Sequence, residues 1–212
     1  MLKVNEIFYS IQGESSYAGF PCIFIRLTGC NLNCTYCDTR YAFKKGTKMT
    51  IEKILKSVNR FECPLVEITG GEPLLQTETS RLAQMLSESG YRVFVETNGT
   101  QNIDMLPVDV SCIMDIKCPG SGEEKKTDWA NIHRLDRKDE VKFVLTSRAD
   151  YLWATEIIRG YRLTEKVPIL FSPVLGKLGP AEIARWILED GLDVRLQLQI
   201  HKIIWPDETR SR

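Results

Sequence analysis

The stretch TGCNLNCTYCDTRYAF, residues 28–43, holds Cys30, Cys34 and Cys37 in a C-x3-C-x2-C spacing. Three thiols are one short of a closed structural zinc site, which takes four ligands, and one too many for a disulfide. Asn31, Asn33 and Thr35 stand between them, so the segment has no core pattern that would make the cysteines packing residues. The spacing leaves two readings. One is a zinc site completed from a distance by Cys22, Cys63, Cys112, Cys118 or His133. The other is an iron–sulfur cube, which normally takes four thiolates, held here by three so that one iron stays open.

Outward from that loop, short apolar runs alternate with helical patterns. CIFIRLTG (22–29) reads as a strand that feeds the cysteines. TIEKILKSVNRF (50–61) carries Ile51, Ile54, Leu55 and Val58 on one helical face, with Thr50 as N-cap. PLVEITGG (64–71) is a strand, TSRLAQMLSESG (79–90) a helix closed by Gly90, and YRVFVETNG (91–99) a strand. Strands follow at 110–117, 140–146 and 167–174, with helices at 127–135, 148–161 and 179–191; the last has Pro180 in its first turn and Gly191 at its end. Residues 193–202 read as a final strand.

This alternation implies βαβ units and a parallel sheet. The fold expected is α/β: a partial, open parallel β/α barrel of about six core strands. A closed eightfold barrel typically needs about 250 residues, and the link from Gly99 to Val110 is too short for a full helix. One domain spans residues 1–212, with an N-terminal segment ahead of the first core strand and a C-terminal extension. The polar motifs TGC, TGGEP, ETNGT, DIK and FSP follow successive strands. Sites in parallel α/β folds form beyond the carboxyl ends of strands, so these motifs converge on one rim.

Lys plus Arg and Asp plus Glu both total 28, which gives no argument for nucleic acid or an anionic membrane. There is no apolar run long enough to span a bilayer and no signal-like h-region at the N-terminus, so the expected location is the cytoplasm. Thiols stay reduced there, which favours metal binding over disulfides.

The cysteine loop, with Tyr36 before its last cysteine, and the turn Gly70-Gly71-Glu72-Pro73 after the second strand together resemble the radical S-adenosylmethionine (SAM) superfamily. The resemblance implies a [4Fe–4S] cluster on Cys30, Cys34 and Cys37. The open iron would be chelated by SAM, whose cleavage yields a hydrogen-abstracting 5′-deoxyadenosyl radical. It also gives the glycines at 70 and 71 a use, since they let the backbone approach the methionine moiety closely. Adding YSIQGES (9–15), CDT (37–39), VETNGT (95–100) and LQIHK (198–202), nearly the whole chain resembles the 7-carboxy-7-deazaguanine synthase family. That family contracts the ring of 6-carboxy-5,6,7,8-tetrahydropterin, losing ammonia, on the route to queuosine and other deazapurines.

Carried over by position, the resemblance implies that Ile11, Gln12, Gly13, Glu14, Arg26, Thr69 and His201 bind the pterin. Arg26 suits its carboxylate and the Gln and Glu side chains its ring edge. Thr39 would contact Mg²⁺. Tyr36, Asp38, Gly71, Asn98, Asp115, Lys117 and Ser172 would contact SAM, although the family often has Ser-Pro-Lys where Asp115-Ile116-Lys117 stands. A flavodoxin or ferredoxin-type electron donor and a homodimer are implied as partners. Cys22, Cys63, Cys112 and Cys118 read as small buried hydrophobes. The rival functions are a radical SAM activase acting on a partner protein, and a zinc-stabilised interaction domain with no enzymatic role.

Overall fold

The computed structural model describes residues 1–206 and residue 210. The expected C-terminal extension therefore lies in part outside the described residues. In chain order the strands are β1 (Leu2–Ile11), β2 (Pro21–Leu27), β3 (Thr47–Met49), β4 (Leu65–Gly70), β5 (Arg92–Thr97), β6 (Ser111–Ile116), β7 (Glu140–Leu145), β8 (Ile169–Pro173) and β9 (Arg195–Leu196). They form one sheet in the order β3-β1-β2-β4-β5-β6-β7-β8-β9. From β2 onward every neighbouring pair is parallel. The six core strands are β2, β4, β5, β6, β7 and β8. Two antiparallel strands extend the sheet on the β2 side, with β1 paired to β2 and β3 to β1.

The parallel strands are buried on both faces, as in other helix-covered sheets. One face is apolar throughout: Ile23, Ile25, Val66, Ile68, Val93, Val95, Met114, Val141 and Phe143 are all 3% exposed or less. Helices cover this face. They are α1 (Ile51–Val58), α2 (Thr79–Glu88), α3 (Arg148–Tyr161) and α4 (Pro180–Asp190). Each buries an apolar stripe, such as Ile51, Ile54 and Val58 on α1 or Tyr151, Ala154 and Ile158 on α3. Thr50 caps α1 by accepting from Lys53 N at 3.3 Å. Tyr151 ties α3 to α4, donating from its hydroxyl to Trp186 O (2.9 Å) and Asp190 Oδ2 (2.8 Å).

Four elements differ from the sequence reading. The segment 127–135 forms only a short 3-10 helix, Trp129–His133. β1 and β3 are strands that the reading left unassigned. The expected strand over 193–202 is two residues long. Gln197 N still bonds Phe171 O at 2.8 Å, but Ile200 N bonds Gly13 O at 3.0 Å, away from the sheet. The chain then turns into a fifth helix, α5 (Ile200–Ile204), so His201 sits on a helix and not near a strand end.

Candidate active site

The other face of the sheet lines a cavity. Alternate strand residues supply its wall: Phe24 and Arg26 from β2, Glu67 and Thr69 from β4, Glu96 from β5, Ile113 and Asp115 from β6, Lys142 and Val144 from β7. Strand side chains alternate in direction, so the pairs from β2, β4, β6 and β7 each stand two residues apart. Loops at the carboxyl rim complete the cavity, and the cysteine loop is one of them.

That loop is held on several sides. Glu72 N bonds Gly29 O at 2.7 Å, fastening the turn after β4 to the start of the loop. A Cβ on Gly71 would lie 2.1 Å from Gly29 O, and one on Gly70, whose φ is 155°, would lie 2.4 Å from Leu27 O. These glycines admit the cysteine loop against β4, a use that sequence reasoning did not find. Asn98 at the end of β5 donates to Asn31 Oδ1 (3.1 Å), and Asn31 donates to Thr100 Oγ1 (2.8 Å). On the far side Thr35 donates through its N–H to Ser121 O (3.0 Å) and through its hydroxyl to Gly120 O (2.8 Å). Asp150 at the start of α3 anchors that segment in turn, accepting from Gly120 N at 2.8 Å. Burial pushes the Cys34 thiol up to about 11 and raises Cys30 as well, so forming thiolates is tied to binding a cation or metal cluster.

Glu72 is fully buried and accepts from Leu74 N (2.9 Å), Thr97 Oγ1 (2.8 Å) and Asn98 N (2.6 Å). It clamps the rim of β4 to that of β5. Burial outweighs these three donors and pushes its carboxyl up to about 7.

The wall is strongly charged. Lys142 Nζ pairs with Glu14 Oε2 at 2.7 Å and with Glu96, and lies 3.5 Å from Asp115 Oδ2. Burial works against the Lys142 charge, but Glu14, Glu96 and Asp115 more than compensate and its pKa rises. Glu67 accepts from Gln12 Nε2; burial and then the nearby Glu96 charge push it up. Glu96 goes down, because Lys142 outweighs its burial. Thr69 donates to Glu96 Oε2 at 2.8 Å. Lys117 pairs with Asp115 Oδ2 at 2.8 Å, while Asp115 Oδ1 is buried and has no partner. Arg26 is fixed by Glu6 Oε1 at 2.8 Å, which also accepts from Tyr41 OH at 2.9 Å.

The fold brings together on this cavity Gln12, Gly13, Glu14, Arg26, Thr69 and His201, the three cysteines, Thr39, Tyr36, Asp38, Gly71, Asn98, Asp115 and Lys117. Two expected residues stand off it. Ile11 pairs with Pro21 inside the sheet, because it is the last residue of β1 and the chain turns only after it. Ser172 shares the inner face of the sheet with its β7 neighbour Val144 but is not among the residues that line the cavity; it is fully buried, with its hydroxyl unpartnered. Glu67, Glu96, Lys142, Gln199 and Lys202 line the cavity unannounced. The first three had a signal in the sequence: VEIT, VET and VKFV each carry a charge at an alternate position of a buried strand. His201 packs so closely on Gly13 that a Cβ there would lie 1.9 Å from its Nδ1. Among the described residues no three His, Cys, Asp or Glu side chains converge on a point fit for one metal ion. Cys22 and Cys63 donate to backbone carbonyls inside the core, and Cys112 and Cys118 are buried too.

Comparison with known proteins agrees with this geometry. Residues 24–108 match the family model of the radical SAM superfamily. The chain is 47% identical to the 7-carboxy-7-deazaguanine synthase of Chlorobaculum tepidum, over 99% of this chain and 97% of that one. It is 46% identical to the 7-carboxy-7-deazaguanine synthase of Koribacter versatilis, over 99% and 100% of the two. The crystal structure of QueE from Escherichia coli shares the fold, with a TM-score of 0.77 over 93% of each chain at 23% identity. A sheet with its charges on the inner face, three thiols on its rim and this degree of likeness lead to one conclusion: the chain belongs to the radical SAM superfamily and, within it, to the 7-carboxy-7-deazaguanine synthase family.

Proposed function

We propose that the chain is an enzyme that contracts 6-carboxy-5,6,7,8-tetrahydropterin to 7-carboxy-7-deazaguanine with loss of ammonia, in deazapurine biosynthesis leading to queuosine. One observation carries this reading beyond the family likeness: the three thiols and the residues of the pterin-specific motifs line the same cavity.

Family membership brings a [4Fe–4S] cluster and SAM, and the residues present fit both. Cys30, Cys34 and Cys37 would hold the cluster with three thiolates, one fewer than the four such a cube normally takes. The unpartnered Asp115 Oδ1 offers a buried acceptor to a donor group on SAM, with Lys117 beside it, and Tyr36, Asp38, Gly71 and Asn98 complete that side. Bound together, these cofactors supply one-electron hydrogen abstraction, a chemistry that no side chain provides.

The protein's own residues bind and orient. Arg26, held by Glu6, takes the pterin carboxylate. Gln12, oriented by Glu67, and Glu14, oriented by Lys142, take the ring edge together with Thr69 and His201. Glu67, whose pKa is raised, keeps its proton and so acts as donor and acceptor beside the ring. Thr39 Oγ1, 3.7 Å from Cys37 Sγ, is the hydroxyl that would join substrate oxygens and waters around Mg²⁺.

A flavodoxin or ferredoxin-type donor, a homodimeric assembly and a cytoplasmic setting belong to the same reading. Seven free cysteines fit a reducing compartment. No helix among the described residues is long and apolar enough to cross a membrane.

The test is direct. Anaerobic protein loaded with iron and sulfide, reduced, and given SAM, Mg²⁺ and 6-carboxytetrahydropterin should form the deazaguanine product. SAM cleavage without any deazaguanine would remove the substrate assignment. A colourless protein holding stoichiometric zinc would remove the enzyme assignment.

A further inference from the structure

Six charged or amide side chains join without a gap from the cavity floor to the cysteine loop. Lys142 Nζ on β7 donates to Glu96 and, at 2.7 Å, to Glu14 Oε2. The other oxygen of Glu14 accepts from Gln199 Nε2 at 2.7 Å. Gln199 Oε1 accepts from Lys202 Nζ at 2.7 Å, and that same ammonium pairs with Asp38 Oδ2 at 2.6 Å. Carboxylate, amide, ammonium and carboxylate follow in an order that satisfies every contact. Gln199 is the joint, because its amide donates to Glu14 through nitrogen and accepts from Lys202 through oxygen. The backbone follows the same course, with Ile200 N on Gly13 O at 3.0 Å.

We propose that Gln199 and Lys202 are positioning residues that fasten α5 across the cavity, joining the pterin wall at Glu14 to the cysteine loop at Asp38. The segment leaves the sheet after Arg195, Leu196 and the bond from Gln197 N to Phe171 O, so beyond residue 197 these side chains, the bond to Gly13 and the packing of His201 on Gly13 hold it in place. Asp38 adjoins Cys37, so the fastening also sets the pterin side in register with the thiol side. Gln199, His201 and Lys202 line the cavity beside the pterin wall, so loosening the segment weakens the hold on a substrate bound there.

Gln199→Glu tests the joint, since it sets a carboxylate against Glu14. In the full-length chain without ligands, amides of residues 200–205 should exchange with deuterium at least tenfold faster than in the wild type. The double change Glu14→Gln with Gln199→Glu restores the order of donors and acceptors, and exchange should return to within threefold of wild type. In loaded enzyme, and resting on the pterin reading, Lys202→Met should raise the pterin KM at least tenfold with kcat within threefold, whereas Lys202→Arg keeps the native KM. Unchanged exchange in Gln199→Glu, or fast exchange that the double change does not reverse, overturns the proposal, as does a native KM in Lys202→Met. If wild-type protein forms no deazaguanine while the exchange results come out as expected, the reaction assignment falls and the fastening stands.

Discussion

Glu72 carries two loads at the residue scale. Its three donors come from two rims, so it decides whether the turn after β4 and the end of β5 keep their places under the cysteine loop. It also holds its proton up to about pH 7 when folded, against roughly 4.3 for an unfolded glutamate. Between those values the folded chain binds the extra proton, so this group's contribution to stability is full in acid and is lost as pH rises toward 7. The stability of wild type relative to Glu72→Gln should therefore fall by about 2 kcal/mol from pH 5 to pH 7. Urea unfolding at both pH values measures it, and a constant difference would contradict the raised pKa. The residues legible in the sequence were those in tight spacings: the cysteines, the glycines at 70 and 71, and the QGE segment. Glu67, Glu96 and Lys142 escaped because each is a single charge in an apolar run, and only the sheet's curvature turns that inner face into a cavity wall. Gln199 and Lys202 act through partners far away in the chain, which no local pattern reveals.

The elements divide by where their partners lie. Helices α1, α3 and α4 appear within a few residues of their expected bounds, because a cap, an apolar stripe and a stop residue are all local. Thr50→Ala removes such a cap and should cost about 1 kcal/mol of stability by urea denaturation while leaving turnover unchanged. An altered kcat would mean that α1 reaches the site by a route absent from these contacts. The C-terminal element was misread for the opposite reason. Its alternation of Leu and Gln fits a strand, yet Gln197 is buried and Gln199 bridges Glu14 to Lys202, so polar positions that looked solvent-facing are committed inside. Tertiary partners, not propensity, end β9 after two residues.

For the molecule as a whole, the fold and the thiol site are separable. The apolar face of the sheet, sealed by four helices, holds the structure together, and the cysteine loop rests on the rim. Cys34→Ala should therefore keep the native circular dichroism spectrum and a cooperative thermal transition while abolishing SAM cleavage. Loss of the folded spectrum would show that the loop belongs to the core. The parallel order and the number of core strands could be read in the sequence, because alternating elements allow few topologies. The antiparallel pair β1 and β3 could not, since nothing local says which edge they join. The contact between Gln199 and Glu14 spans 185 positions of the chain. During synthesis Glu14 emerges ahead of Gln199, on the order of ten seconds earlier at roughly 5–20 residues per second. The cavity therefore spends its first moments uncovered, with the three thiols reachable from outside. Maturation of the site has a natural interval, and the arrival of the Gln199 segment closes it.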